Sequence, residues 1–422
     1  MMDPPAGERR LRVGLAGVGM ICDETHLPLL EQLRRTALMG PYGSVEVRLA
    51  AVASRTGQRA ERLRDRLGDF ESLTGPDAVA RLAALPLAVV IVATPDDRHF
   101  AAARAALAAG KHVLIEKPSV LRLQELDELV ALSRDRGVLA KVVYHKLFDP
   151  DHRKLRTHVA DGVLRHVNNG YCSLLEPRAI SRVQFAEWIA GRNPGTYVAV
   201  HYLKLIDFTF GSAFRLHRIL ATGQRGLVAP ADATTWDSVQ LQFVYEYPDG
   251  REAAFDVHTS WVAPDRFPGS VEQEVQFRFD NGVWNAHQRK RGVEMAVDDA
   301  TALPITPNHH YSTDLVEPWG ERRRCGYGLD APRRFFEELA EVEFGGPPDD
   351  RPRRLEAARA FHYNDLAADR NVVAVVQALE AILARHAAGR PGCFATVNSP
   401  RPGLWLHVPG ESSPECLYSH EV

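Results

Sequence analysis

A lysine at the end of an apolar run is the residue best placed to do chemistry. Glu116-Lys117-Pro118 follows His112-Val113-Leu114-Ile115, which reads as a buried parallel strand. Proline after the lysine fixes the chain direction and leaves the amine at the strand tip. Upstream, Gly17-Val18-Gly19-Met20-Ile21-Cys22 ends another strand, Leu11 to Ala16. Gly17 allows a tight turn, and Gly19 lets the backbone approach a pyrophosphate. Met20 and Ile21 lead to a helix whose N-terminus supplies amide donors and positive dipole. Cys22 replaces a third glycine, where a small side chain suffices. A phosphate-binding turn and a lysine on a later strand tip point to a nicotinamide enzyme. The lysine would exchange a substrate hydroxyl proton, its pKa lowered by the nicotinamide charge.

Two further strand tips carry polar groups. Ala53-Ser54-Arg55-Thr56 offers a hydroxyl and a cation where an acidic residue would bind the ribose of NAD. Ser54 and Arg55 suit a ribose phosphate, so NADP is favoured, with NAD as the alternative. Thr94 and Pro95 follow the buried run Leu87 to Ala93, so their backbone lines the cofactor crevice. His99 is placed with that loop, and at a helix start a hydrogen-bonded structural role is its plain reading.

The elements positioning these residues form a βα rhythm over residues 10–145. Strands are expected at Leu11–Ala16, Val45–Ala53, Leu87–Ala93, His112–Ile115 and Leu139–Tyr144. Helices are expected from Glu24 (capped by Asp23), over Thr56–Leu67, Asp97–Ala109 and Leu121–Arg136. Residues 37–44 read as loop. Such repeats demand a doubly wound parallel sheet. After Tyr144, Asp151–Ala160 and Val200–Phe210 read as helices and Arg165–Leu175 as a strand. Two hairpins follow, turning at Pro248-Asp249-Gly250 and Asp280-Asn281-Gly282. The fold class is therefore α/β, with a Rossmann sheet followed by an α+β domain with an open, largely antiparallel sheet. A continuous helical region is expected over 353–388. The boundaries are 1–145 for dinucleotide binding, 146–388 for substrate and oligomerisation, and 389–422 for an ordered arm rich in Pro and Gly. The open sheet is expected to make a homodimer or homotetramer.

Composition narrows the function classes. With 422 residues, 51 basic against 54 acidic side chains and a net charge of -3, nothing draws the chain to nucleic acid or a membrane surface. No apolar run is long enough to span a bilayer, and no signal peptide is visible. Five dispersed cysteines fit reduced thiols in the cytoplasm and no zinc site. Cys22 reads as a space-filling residue. His309-His310-Tyr311 lacks carboxylates at useful spacing, so no metal is expected and the segment reads as loop.

Together these pieces resemble the Gfo/Idh/MocA family, the glucose–fructose oxidoreductase and inositol dehydrogenase relatives. The resemblance rests on Gly17-x-Gly19 followed by His26-Leu27-Pro28-Leu29-Leu30, on Val90-Ile91-Val92-Ala93-Thr94-Pro95-x-x-x-His99, and on Gly110-Lys111-His112-Val113-Leu114-Ile115-Glu116-Lys117-Pro118. It is close over about residues 11–150 and diffuse beyond. It implies reversible oxidation of a sugar or cyclitol hydroxyl by a nicotinamide, with Lys117 as the catalytic lysine and Glu116 beside the cofactor. His201 falls on the family's catalytic histidine. Tyr197 occupies the position of the family's aspartate, and at spacing i, i+4 the two share a helix face. His145 and Lys146 take a place where asparagine or arginine is commoner and would face nicotinamide or substrate. Trp261, His258 and Arg182 are further cleft candidates. Two other functions compete: a glycosidase or lyase using NAD for transient oxidation, and a non-enzymatic regulator that binds dinucleotide and sugar.

Overall fold

Unbroken apolar runs become parallel strands because a strand covered on both faces has no polar side. The computed structural model describes residues 9–181, 189–228, 234–265, 271–288, 291, 293 and 308–419. The chain divides into two units. Met1–Val120, Gln124–Phe148 and His310–Asp369 form the first; Leu121–Leu123, Asp149–His309 and Arg370–Val422 form the second.

The first unit holds a seven-stranded sheet of β1 (Arg10–Ala16), β2 (Leu38–Gly40), β3 (Gly43–Ala53), β4 (Glu71–Leu73), β5 (Val89–Val92), β6 (His112–Ile115) and β7 (Ala140–Val142). The order is β2-β3-β1-β5-β6-β7, with β4 paired to β3. Only β2–β3 is antiparallel. The strands wind outward from β1 in both directions, which makes its C-terminal end the switch point where such sheets bind ligands. Ala16 pairs with both Ala53 and Val92, Val92 with Ile115, and Ile115 with Val142. The loops that follow these strands therefore leave the sheet along one edge.

Several local expectations change. Residues 38–40 are a strand, because Leu38 is buried and pairs with Val45 across a short turn. The helix at Thr56–Leu67 is two short pieces, Gln58–Glu61 and Arg64–Leu67. Asp23 does not cap a helix; helical winding already begins at Met20, and the Cys22 and Asp23 amides donate to the Gly19 carbonyl. The region 353–388 is broken into Arg351–Arg359, a turn at Leu366–Asp369, and Arg370–Ala387. At the break, the Asn364 carbonyl accepts from Val142 N, satisfying the open edge of β7.

The largest difference concerns residues 310–369, expected in the second domain. The helix Tyr327–Phe344 carries Phe335, Phe336, Leu339 and Val342, all buried in one core with Val13, Leu15, Leu29 and Val47. A doubly wound sheet needs apolar cover on both faces, and this helix supplies part of it.

The second unit is built on a nine-stranded, mostly antiparallel sheet. Its order is Gly282–Ala286, Glu272–Phe279, Val167–Pro177, Glu252–Ala263, Ser238–Glu246, Arg215–Gln224, Phe394–Val397, Leu404–His407 and Glu415–Tyr418. Val167–Pro177 and Glu252–Ala263 are the parallel pair. Both hairpins form as expected. The arm expected from 389 contributes its three strands, Phe394–Val397, Leu404–His407 and Glu415–Tyr418, to this sheet. Phe210, Phe255 and Phe277 cluster at centroid distances of 5.3 to 6.1 Å in its core. Among the described residues no helix is long and apolar enough to cross a membrane.

Candidate active site

The glycine-rich turn shows why its residues are small. Gly17 has φ +91°, and its amide donates to the Ala53 carbonyl at 2.9 Å. A Cβ there would stand 2.5 Å from the Ala93 carbonyl oxygen. A Cβ on Gly19 would meet nothing within 4 Å, so the turn opens a cradle at that point. Met20 and Ile21 begin the helix, and their amides have no preceding turn to bond. The next turn, Cys22–His26, is wound as a π-helix before the α-helix Leu27–Thr36. Such wide turns recur at functional sites. Cys22 is fully buried, its thiol donating to the Gly17 carbonyl at 3.3 Å. Burial pushes that thiol up and keeps it protonated, so it packs and does not attack.

At the tip of β3, the Ser54 hydroxyl accepts from Gly57 N at 3.1 Å, and Arg55 is exposed. Arg59, which sequence reasoning passed over, donates to the Val18 carbonyl at 3.1 Å. Its guanidinium thus reaches the glycine turn. Only its place one helical turn past Arg55 hinted at this.

At the tip of β6, Glu116 is buried and Lys117 half-buried. Glu116 Oε1 accepts from His26 Nε2 at 2.7 Å. Burial pushes the Glu116 carboxyl up, but the His26 hydrogen bond, with charge from His26, His145 and Lys117, outweighs it and holds the carboxyl below its ordinary value. His145, at the tip of β7, is buried; burial above all, opposed by Glu116, pulls it down to about 4. It is therefore neutral near physiological pH. The Lys117–Pro118 peptide is cis.

The His99 ring lies between two backbone carbonyls, with Nδ1 2.7 Å from Pro118 O and Nε2 2.8 Å from Thr94 O. It therefore staples the loop after β5 to the loop after β6. Both ring nitrogens face backbone oxygens, so His99 supports these two loops through their backbone. Asp369 is fully buried and accepts from Ser119 Oγ and from Tyr144 OH, the latter at 2.7 Å. Tyr311 packs edge-on against His145 with centroids 5.9 Å apart, and its hydroxyl lies 3.4 Å from Glu24 Oε2. Asp369 carries no sequence signal and Tyr311 only that of the loop His309-His310-Tyr311; both arrive from distant chain.

These residues fit a dinucleotide. Gly17 and Gly19 leave backbone accessible, and the buried polar atoms without a hydrogen-bond partner among the described residues include His26 Nδ1, Thr94 Oγ1 and His145 Nε2. Buried polar atoms left so are expected where a ligand satisfies them. No group of three or more His, Cys, Asp or Glu among the described residues is arranged to hold a metal ion.

Tyr197 and His201 belong to the second unit. Tyr197 lies in a π-wound turn, Gly195–Ala199, and His201 in the first turn of the α-helix Val200–Phe210. Both are half-buried. Asn193 and Thr196, buried, hydrogen-bond each other and Glu380, which fixes the start of this segment. The Tyr197 ring is 6.4 Å from that of Trp261. Trp261 itself is fully buried and donates to Glu176 at 2.9 Å, so it is core and not cleft surface. His258 packs against Tyr171 at 5.1 Å. Arg182 lies outside the described residues.

Residues 11–144 match the family described as an oxidoreductase family with an NAD-binding Rossmann fold, GFO_IDH_MocA. The chain is 31% identical over 181 residues to the dTDP-3,4-didehydro-2,6-dideoxy-alpha-D-glucose 3-reductase of Actinomadura kijaniata, covering 42% of this chain and 49% of that protein. It is 27% identical over 158 residues to scyllo-inositol 2-dehydrogenase (NADP(+)) of Bacillus subtilis, covering 37% and 40%. These matches span about half the length of the curated relatives or less. The crystal structure of GenD2 from gentamicin A biosynthesis in complex with NAD shares the fold, with a TM-score of 0.63 and 20% identity over 94% of this chain and all of that one. The family resemblance carried by Gly17-x-Gly19 and Glu116-Lys117-Pro118 therefore holds over residues 11–144, which match the Rossmann-fold model of the Gfo/Idh/MocA oxidoreductases.

Proposed function

We propose that the chain is an NAD(P)-dependent oxidoreductase that moves hydride between nicotinamide and a hydroxyl- or keto-bearing carbon of a sugar, sugar derivative or cyclitol. The single observation that carries this reading is Lys117, presented between buried Glu116 and Pro118 at the tip of β6, on the sheet edge that also carries the Gly17–Gly19 cradle. The relatives' names, a sugar 3-reductase and an inositol dehydrogenase, support the substrate class.

When bound, the nicotinamide supplies the hydride donor or acceptor. The backbone of Gly17, Gly19, Met20 and Ile21 would hold the pyrophosphate. Ser54 and Arg55, with Arg59, would take the adenosine ribose, and this pair of cations favours NADP over NAD. Thr94, Pro95 and His145 would line the nicotinamide end. Glu116, kept ionised by His26, stabilises the Lys117 ammonium. Lys117 then gives or takes the proton of the substrate hydroxyl as the carbon changes oxidation state. By the family resemblance, His201 would serve proton exchange and Tyr197 would orient substrate. A homo-oligomer formed through the second unit's open sheet belongs to the same reading.

The test begins with a thermal-shift screen of NAD and NADP, then of sugars and cyclitols with the better cofactor. Lys117→Ala should keep the cofactor-induced shift and lose turnover by about a hundredfold or more. A Lys117→Ala protein with normal turnover ends the assignment.

A further inference from the structure

Four residues, 116 to 119, make up the loop that presents the lysine. Glu116 is held by His26, the Pro118 carbonyl by His99, and Ser119 by Asp369. Lys117 is the half-buried member, while its neighbours Glu116, Pro118 and Ser119 are buried. The first two ties come from elements next to β1 and β5 in the chain. The third comes from the far end of the first unit, 250 positions away.

Asp369 does more than hold Ser119. Its second oxygen accepts from the Tyr144 hydroxyl at 2.7 Å, and Tyr144 immediately precedes His145. One carboxylate therefore joins the loop after β6 to the loop after β7. Both named partners are hydroxyl donors, so each oxygen of the Asp369 carboxylate serves as an acceptor. Ser119, Tyr144 and Asp369 are all buried, so this charge acts through little water.

We propose that Asp369 is a positioning residue for the chemistry of Lys117: it clamps the lysine-bearing loop against the His145-bearing loop and adds a buried negative charge that favours the ammonium form of the lysine. This rests on Lys117 being the proton-exchanging group, but its test does not need turnover. Asp369→Asn removes the charge, retains one oxygen acceptor and brings an unwanted donor toward two hydroxyls.

The experiment is competitive acetylation of the Lys117 amine in the full chain without cofactor, read by mass spectrometry as a function of pH. In Asp369→Asn the labelling midpoint should move down by about half a pH unit or more. Asp369→Glu, which keeps the charge, should restore it. If labelling in folded Asp369→Asn superimposes on wild type, the proposal is overturned. Should Asp369→Asn fail to fold, Ser119→Ala and Tyr144→Phe carry the same measurement. Loosening the loop should then raise the plateau labelling rate of Lys117 about threefold, and unchanged curves in both variants overturn the clamp. In turnover assays, Asp369→Asn should lower kcat about tenfold with the cofactor KM nearly constant. A rise in KM alone argues against a positioning role. A wild-type protein with no nicotinamide turnover defeats the proposed function, while the labelling curves still decide Asp369.

Discussion

The Nε2 of His26 lies 2.7 Å from Oε1 of Glu116, with both side chains buried and 90 positions apart in the chain. His26 closes the π-turn behind the glycine cradle, and Glu116 precedes the lysine. One hydrogen bond thus links the glycine-rich turn of the first unit to the loop that carries Lys117. It also keeps a buried carboxylate charged, which desolvation alone would oppose.

Replacing Glu116 with Gln should expose this dependence. The amide oxygen still accepts from His26, but its two N–H donors enter a buried site already holding His145 and Lys117. We expect a loss of about 1–3 kcal/mol at neutral pH. The folded-state pKa of Glu116 is lowered, so its ionisation stabilises the protein above its ordinary value of 4.5 and that stabilisation is lost as pH falls below it. The gap between wild type and Glu116→Gln should therefore shrink on acidification. Urea unfolding across that pH range checks it, and a gap that widens in acid contradicts it.

His145 predicts a different window. Its folded value is about 4 against an ordinary 6.5, with burial the main cause. Below 6.5 the unfolded chain binds a proton that the folded protein refuses until about 4. Stability should fall through that interval, by about 2 kcal/mol at about pH 5. His145→Asn removes the contribution, so its melting temperature should drop less than wild type between about pH 7 and about pH 5. Parallel curves would show that His145 is not held neutral.

Cofactor choice should follow two cations. Arg55→Ala and Arg59→Ala should each weaken NADP by about tenfold while NAD changes about twofold or less. Fluorescence titration with both dinucleotides measures this. Equal losses for the two cofactors would place these arginines elsewhere than on a ribose phosphate.

The two glycines should fail differently. Gly17→Ala forces a Cβ to 2.5 Å from a carbonyl oxygen at positive φ, at a cost of about 1–3 kcal/mol. Gly19→Ala meets open space in the protein itself, so stability should stay within about 0.5 kcal/mol. Its effect should appear as a lost thermal shift with dinucleotide. A Gly19→Ala protein that binds cofactor normally would remove that glycine from the cradle.

The strand tips were readable in the linear chain because each ends a contiguous apolar run, and parallel pairing leaves few ways to arrange them. The places of Gly17, Gly19, Thr94 and Lys117 at strand tips follow from that rule, while both hairpins follow from alternation and their turn residues. Long-range returns were not readable. Phe335 and Phe336 complete a core begun by Val13 and Leu15, Asp369 reaches Ser119, and Tyr311 meets His145. Short-range pattern records only whether a residue wants burial or a hydrogen bond. Which distant partner meets that need is settled when the sheet, its covering helix and its edges close around one another, since apolar attraction is non-directional and any buried donor will serve any nearby acceptor.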